Sequence, residues 1–232
     1  PIFWGVKWGS QDSFKAKRIG LDSFYMNVGN SDYLKTNTEY SSSTTQVNAV
    51  VISNPSIPDF NAGPTKAPST STILAEVCKM VGSVKPPDNN YYPVHTDLKR
   101  GSAGYCAWHS WGTCNGYNVQ FAFFFDLDGD PGCDPQDKWT GRAQGLAAEA
   151  NVAGHELSEA LTDPRGTGWY DVQGYENSDK CAWDFGSNYV TFVNGDNWRI
   201  QGNWSNAAYS STTRGYANEK GQKGCIDGGN YK

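Results

Sequence analysis

Apolar residues follow two rhythms along this chain. Between positions 91 and 126 they come in short runs of strand length. Residues 91–97, 105–111 and 117–126 read as three strands bounded by Gly, Asn and Asp. The last contains Val119-Gln120-Phe121-Ala122-Phe123-Phe124-Phe125 and is apolar on both faces, as a central strand must be. Upstream, residues 2–8 and 46–52 predict two further strands. Residues 13–28 predict a helix, weakened by Gly20, and residues 72–81 a short amphipathic one. Residues 54–71 hold four prolines and read as a long surface loop. The one long helical pattern is the alanine-rich stretch 140–162, stopped at Asp163-Pro164 because the residue before proline avoids the helical region. After it come Gly-, Trp-, Tyr- and Asn-rich turns and short strands. The pattern predicts an α+β fold, a twisted mixed sheet packed on a central helix at about 140–163. With no linker composition anywhere, one domain over residues 1–232 is expected.

Composition narrows the function classes. Aromatic residues make up 14% and charged residues 19% of the 232 positions, enough apolar surface for a core and too little charge for disorder. The net charge is -5, and no Lys/Arg cluster exists to track a phosphate backbone, which argues against nucleic acid. The most apolar stretch, residues 119–127, is too short to span a bilayer, so no membrane association is expected. The six cysteines (Cys78, Cys106, Cys114, Cys133, Cys181 and Cys225) include no Cys-x-x-Cys pair. An even count in a Ser/Thr/Asn/Gly-rich chain fits three disulfides and an extracellular, secreted protein whose leader has been removed, expected to act as a monomer. Their connectivity stays open among about 15 pairings. Asn203-Trp204-Ser205 is a glycosylation sequon.

The chemistry concentrates in His155-Glu156-Leu157-Ser158-Glu159. Four residues apart on a helix, His155 and Glu159 stack on one face and reach one ion. Glu156 is turned from them by about 100° and takes the place of the general base. This is the zinc-peptidase pattern His-Glu-x-x-His with Glu in the second metal-binding position. Small and apolar neighbours over residues 146–160 bury the helix, and buried charges need partners. A third ligand is expected downstream, where Glu176 and Asp179 are three residues apart; one binds the ion and the other orients a ligand. His109, in Cys106-Ala107-Trp108-His109, is a further candidate, against the reading of a core histidine bonded to a carbonyl. His95 has no such context. Asp126-Leu127-Asp128-Gly129-Asp130 opens like a calcium loop but lacks the closing Glu and reads as an acidic turn with weak Ca²⁺ potential.

The order of motifs resembles the EXORDIUM-like, phosphate-induced-protein-1 family of secreted proteins. The residues that carry the resemblance are Trp4-Gly5 and Trp8-Gly9, Cys106-x-x-His109, Asp130-Pro131-Gly132-Cys133, the His155–Glu159 pentad, Thr162-Asp163-Pro164, Trp169-Tyr170 and Glu176-x-x-Asp179-x-Cys181. It is densest between positions 105 and 181; plant members usually carry Asn where Asp163 stands. The resemblance implies an extracellular, cell-wall setting and a Cys181–Cys225 bridge. The Glu-x-x-Asp after the helix also resembles the third-ligand segment of thermolysin-type peptidases, which implies a zincin-like fold.

Three functions follow. One is a zinc-dependent hydrolase, a metallopeptidase acting on a peptide or protein substrate, with Glu156 as base and His155, Glu159 and Glu176, Asp179 or His109 as ligands. Carboxylate-rich ligation cancels the ion's charge, makes it a poorer Lewis acid, and favours harder ions such as Mn²⁺ or Ca²⁺. The second is a non-catalytic extracellular protein with a structural metal, binding cell-wall polysaccharide or a protein partner. The third is a carbohydrate-active enzyme using a carboxylate pair such as Glu156 and Glu176.

Overall fold

The computed structural model describes residues 1–42 and 44–229. Five strands form the main sheet: β1 (Ile2–Trp4), β2 (Ile57–Asp59), β3 (Tyr91–Lys99), β4 (Ala107–Cys114) and β5 (Tyr117–Asp126). Their spatial order is β2-β1-β3-β5-β4, parallel throughout except for β4, which runs antiparallel to β5 at one edge. The sheet is therefore mixed and the class α+β. Strand β5 is interior, between β3 and β4, and residues 121–126 are all buried, as its two-faced apolar pattern requires.

Alternation along the strands sorts the two faces. The registers align Ala107, Phe124, His95 and Phe3 in one row, and His109, Ala122 and Pro93 in the next row on the same face. Trp108, Phe123 and Val94 form a row on the opposite face. That second face carries α4 (Thr70–Val81), whose Leu74 sits over Gly112. The first face carries α2 (Asp12–Asn27), preceded by α1 (Lys7–Ser10), and α5 (Gln144–Thr162).

Helix α5 buries 15 of its 19 residues, so it is enclosed on every side. Gly20 has a packing reason: a Cβ there would meet Leu146 of α5 at 2.5 Å, so glycine lets α2 and α5 approach closely. The outer side of α5 is covered by the C-terminal segment. This comprises the β6 (Val190–Thr191) and β7 (Asn197–Trp198) pair, a small sheet of β8 (Asn203–Trp204), β9 (Tyr216–Ala217) and β10 (Lys223–Ile226), and α6 (Asn206–Tyr209). A short helix α3 (Asp32–Lys35) follows α2.

Three disulfides join Cys78 to Cys114, Cys106 to Cys133 and Cys181 to Cys225. By the chain-entropy account, each loop closed is worth about 3–4 kcal/mol against the unfolded chain. No described helix is long and apolar enough to cross a membrane.

Several sequence expectations need correction. Residues 46–52 form no strand; they are tied to loops by Asn30 N–H to the Ala49 carbonyl and Val47 N–H to the Tyr40 carbonyl. The place beside β1 goes instead to β2, from the proline-rich loop; Pro58 is tolerated because β2 is an edge strand. The first strand ends at Trp4, since Gly5 adopts φ 142° and the chain turns into α1. The long helix starts at Gln144, not 140: the Asp137 carboxylate takes the Trp139 and Thr140 amides into a turn, and Gly141 has φ 72°. The sequon is internal, with Asn203 fully buried and its amide donating to Thr36 and Ser158.

Candidate metal centre

Three elements bring the predicted residues together. Helix α5 supplies His155, Glu156 and Glu159. Strand β4 supplies His109, which its register turns toward α5. The segment 176–181, ending in a 3₁₀ turn (Asp179–Cys181), supplies Glu176 and Asp179.

That segment is fastened to the helix by its own backbone and side chains. Ser178 donates to the His155 carbonyl and to Asn203 Oδ1. Thr162 donates to Asn177 Oδ1, and the Asn177 amide donates to Asn37 Oδ1. The Cys181–Cys225 bridge clamps the turn to β10. At the helix end, Asp163 accepts the Thr167 and Gly168 amides, which closes the turn after the helix stop. Gly154 matters here too. A Cβ would lie 2.9 Å from Ile200, so its absence lets the chain after β7 press on α5 and present Gln201 to His155.

The donor atoms interlock. His155 Nε2 lies 3.0 Å from Glu159 Oε1 and 3.5 Å from Asp179 Oδ1. His109 Nε2 lies 3.0 Å from Glu176 Oε2 and 3.6 Å from Glu159 Oε2. The Asp179 amide donates to Glu159 Oε1, and the Glu176 amide to Asp179 Oδ2. Two sets of ligand atoms each lie within 4.8 Å of one another: His155, Glu159 and Asp179, and His109, Glu156 and Glu159. Glu156 therefore faces the cluster through β4, closer in than its position on the helical wheel alone implies. Its side chain is 5% exposed and accepts no hydrogen bond from a described residue. One side of the cluster is open, since the Asp179 side chain is 38% exposed beside a shallow pocket bordered by Tyr175, Lys180, Asn218 and Lys220.

Protonation follows from burial and crowding. Burial pushes the Glu156 carboxyl up to about 8; the His155 charge opposes this, and the Glu159 charge adds to it. Burial alone would lower His109, but its bond to Glu176 and the surrounding carboxylates raise it to about 9. Burial likewise opposes His155, yet Glu159 and Asp179 hold it well above the usual imidazole range. Burial raises Glu176, with His109 opposing, while for Asp179 the His155 contact outweighs burial and lowers the carboxyl. No lysine or arginine forms an ion pair with any of these carboxylates among the described residues.

All six predicted residues thus meet in one place, and His109 is no carbonyl-bonded core histidine. Sequence reasoning missed Gln201, whose amide lies 2.8 Å from His155 Nδ1 and is fixed by the Ser178 carbonyl and the Trp183 amide. It also passed over His95, which is fully buried, bonded to Glu149 through Nδ1 and to Tyr25 through Nε2, and stacked on Phe124. Strand alternation placing His95 inward was the available clue. The 126–130 loop is an acidic turn whose Asp126 and Asp130 pair with Lys17, Lys99 and Arg100. No family model, curated protein or solved structure matches the chain, so a functional reading rests on the cluster's own chemistry.

Proposed function

We propose that the chain is a secreted, metal-dependent hydrolase that cleaves peptide bonds, with Glu156 as general base and His155, Glu159, Asp179, His109 and Glu176 as the metal-binding set. The observation that carries this reading is Glu156 itself. In a cluster whose other side chains are hydrogen-bonded to one another, it is buried, receives no hydrogen bond from a described residue, and is poised to change protonation near neutral pH. The donor set fits zinc or manganese, which take imidazole and carboxylate together. A bound divalent ion would polarise a carbonyl and acidify water. The chain's own part is to hold the donors rigidly and to receive a proton at the Glu156 carboxylate.

A peptide is favoured over a sugar by the sheet. β4 is an edge strand, it carries His109, and its outer side has no strand partner among the described residues. An extended chain could pair there, with main-chain bonds aligning a carbonyl at the cluster. Three disulfides fit the oxidising compartment that secretion implies. The zincin-like assignment and the EXORDIUM-like kinship belong to the same proposal. The test is Glu156→Gln, which keeps size and polarity. Chelator-sensitive cleavage of a diverse peptide library should fall by about 10² to 10⁴, with metal content and melting temperature unchanged. A wild-type protein that carries metal but cleaves nothing in the library would favour a structural ion and a binding role.

A further inference from the structure

We propose that the cluster is built for two divalent cations bridged by the Glu159 carboxylate, an inference that rests on the metal-binding reading above. Two donor groups share this one side chain. On the Oε1 side stand His155 and Asp179, and on the Oε2 side stand His109 and, behind it, Glu176. Donors at about 2.0–2.1 Å from a tetrahedral ion lie roughly 3.3 Å from one another. The separations on the first side, 3.0 and 3.5 Å, are those of neighbouring ligands on a common ion, and on the second side the donor atoms of His109, Glu156 and Glu159 lie within 4.8 Å of one another. A carboxylate that turns one oxygen to each half is the geometry of a bridge, with ions about 3.5–4 Å apart.

Charge gives the same count. Glu156, Glu159, Glu176 and Asp179 carry four negative charges when ionised, the histidines none when they ligate, and two divalent ions balance them. A single ion would leave two negative charges with no lysine or arginine in ion-pair reach among the described residues, to be met only by protons on His109 and Glu156, which a second ion would replace. Glu156 is the independent sign that something belongs on the second side. It is 5% exposed, accepts no hydrogen bond from a described residue, and has a carboxylate oxygen within 4.8 Å of the His109 and Glu159 donor atoms. One Glu176 oxygen, Oε1, is also buried without a partner. Two ions would clamp both the attacking and the leaving atoms of a hydrolysis, with the Glu156 carboxylate beside the His109 and Glu159 donors.

The test uses the full-length, disulfide-intact chain, stripped by chelator dialysis and reloaded with Mn²⁺ or Zn²⁺. Elemental mass spectrometry should give two ions per chain. The Mn²⁺ form should show the electron paramagnetic resonance spectrum of an exchange-coupled pair. His109→Phe and Asp179→Ala should each fall to one ion, and Glu159→Gln should lose the coupling. The wild-type count decides the matter even where a variant misfolds. One ion per chain with the spectrum of an isolated Mn²⁺ overturns the two-ion centre and leaves the hydrolase reading standing. No tightly held ion overturns both.

Discussion

Helix α5 carries two buried acid clusters two turns apart, one around Glu149 and one around Glu156 and Glu159, and they are neutralised differently. Around Glu149 the chain brings its own cation. Lys17 of α2 lies 2.7 Å from Glu149, 2.8 Å from Asp126 and 3.1 Å from Asp128, and the remaining Glu149 oxygen meets His95. Burial would lower the Lys17 pKa, but Glu149 and Asp126 raise it well above the usual range, so the lysine stays charged. His95 has its pKa lowered by burial and stays neutral; a consistent assignment has Nδ1–H donating to Glu149 and the Tyr25 hydroxyl donating to Nε2. Around Glu156 no lysine pairs with the carboxylates among the described residues, and histidines share protons with them instead. A closed cluster is a structural device. An open one, with no lysine or arginine paired to its carboxylates among the described residues, is where the proposed ions would supply the missing charge.

The largest effect expected is at the closed end. Lys17→Met keeps the chain length but strands Glu149 and Asp126 without their cation. Removing one partner of a buried pair costs about 3–5 kcal/mol. Thermal melting should fall by roughly 6–20 °C, and added Mn²⁺ or Zn²⁺ should not restore it. A loss below about 1 kcal/mol would erase the contrast between the two ends.

The open end should answer to metal and pH together. In the metal-free protein His109 is raised from 6.5 to about 9 and Glu156 from 4.5 to about 8. Between these limits the folded chain holds protons that the unfolded chain has released, so stability is fully present at lower pH and is lost as pH rises through the folded values. Cations compete with the same protons, so metal affinity should rise over that window. Melting followed from pH 6 to 9 should therefore fall for the stripped protein, while the gap to the loaded protein widens. At a free-ion concentration about 100 times Kd the gap is about 2.7 kcal/mol. Parallel curves would mean that the ion does not bind through these groups.

Much of this contrast was legible in the chain. His155 and Glu159 at helical spacing, with a proline stop five residues after Glu159, and Glu176 and Asp179 just beyond it all reach the cluster, because each depends on local geometry. The strands 91–99 and 117–126 follow from alternation and apolar runs. What could not be read was set by long-range packing. Whether Glu176 or Asp179 pairs with His155 depends on a 3₁₀ turn held by Asn203 and a disulfide, and Asp179 is the one that does. The Lys17 network joins residues more than 100 positions apart, and nothing local in α2 marks it. Strand β2 lay inside a proline-rich loop, where an edge position removes the usual penalty.

Gln201 offers the finest discrimination between the two ends, because it faces His155 Nδ1 as Glu149 faces His95 Nδ1, but with an amide donor where Glu149 accepts. Its Oε1 accepts the Trp183 amide and its NH₂ donates to the Ser178 carbonyl, so the same NH₂ faces His155 Nδ1. In that arrangement a neutral His155 carries its proton on Nε2, toward Glu159. Ligation through Nε2 requires the proton on Nδ1 and an acceptor beside it, so the amide has to turn over and give up its present partners. Gln201→Glu supplies the acceptor permanently and raises the basicity of the ring, the arrangement of carboxylate, histidine and metal found to strengthen ligation. Metal affinity, measured by competition with a chromophoric chelator, should tighten by about tenfold, or about 1.4 kcal/mol. Gln201→Leu, which leaves Nδ1 with neither donor nor acceptor, should weaken it by about 10- to 100-fold. If both variants bind as the wild type does, His155 does not ligate through Nε2 and the ion is held by the His109 side alone.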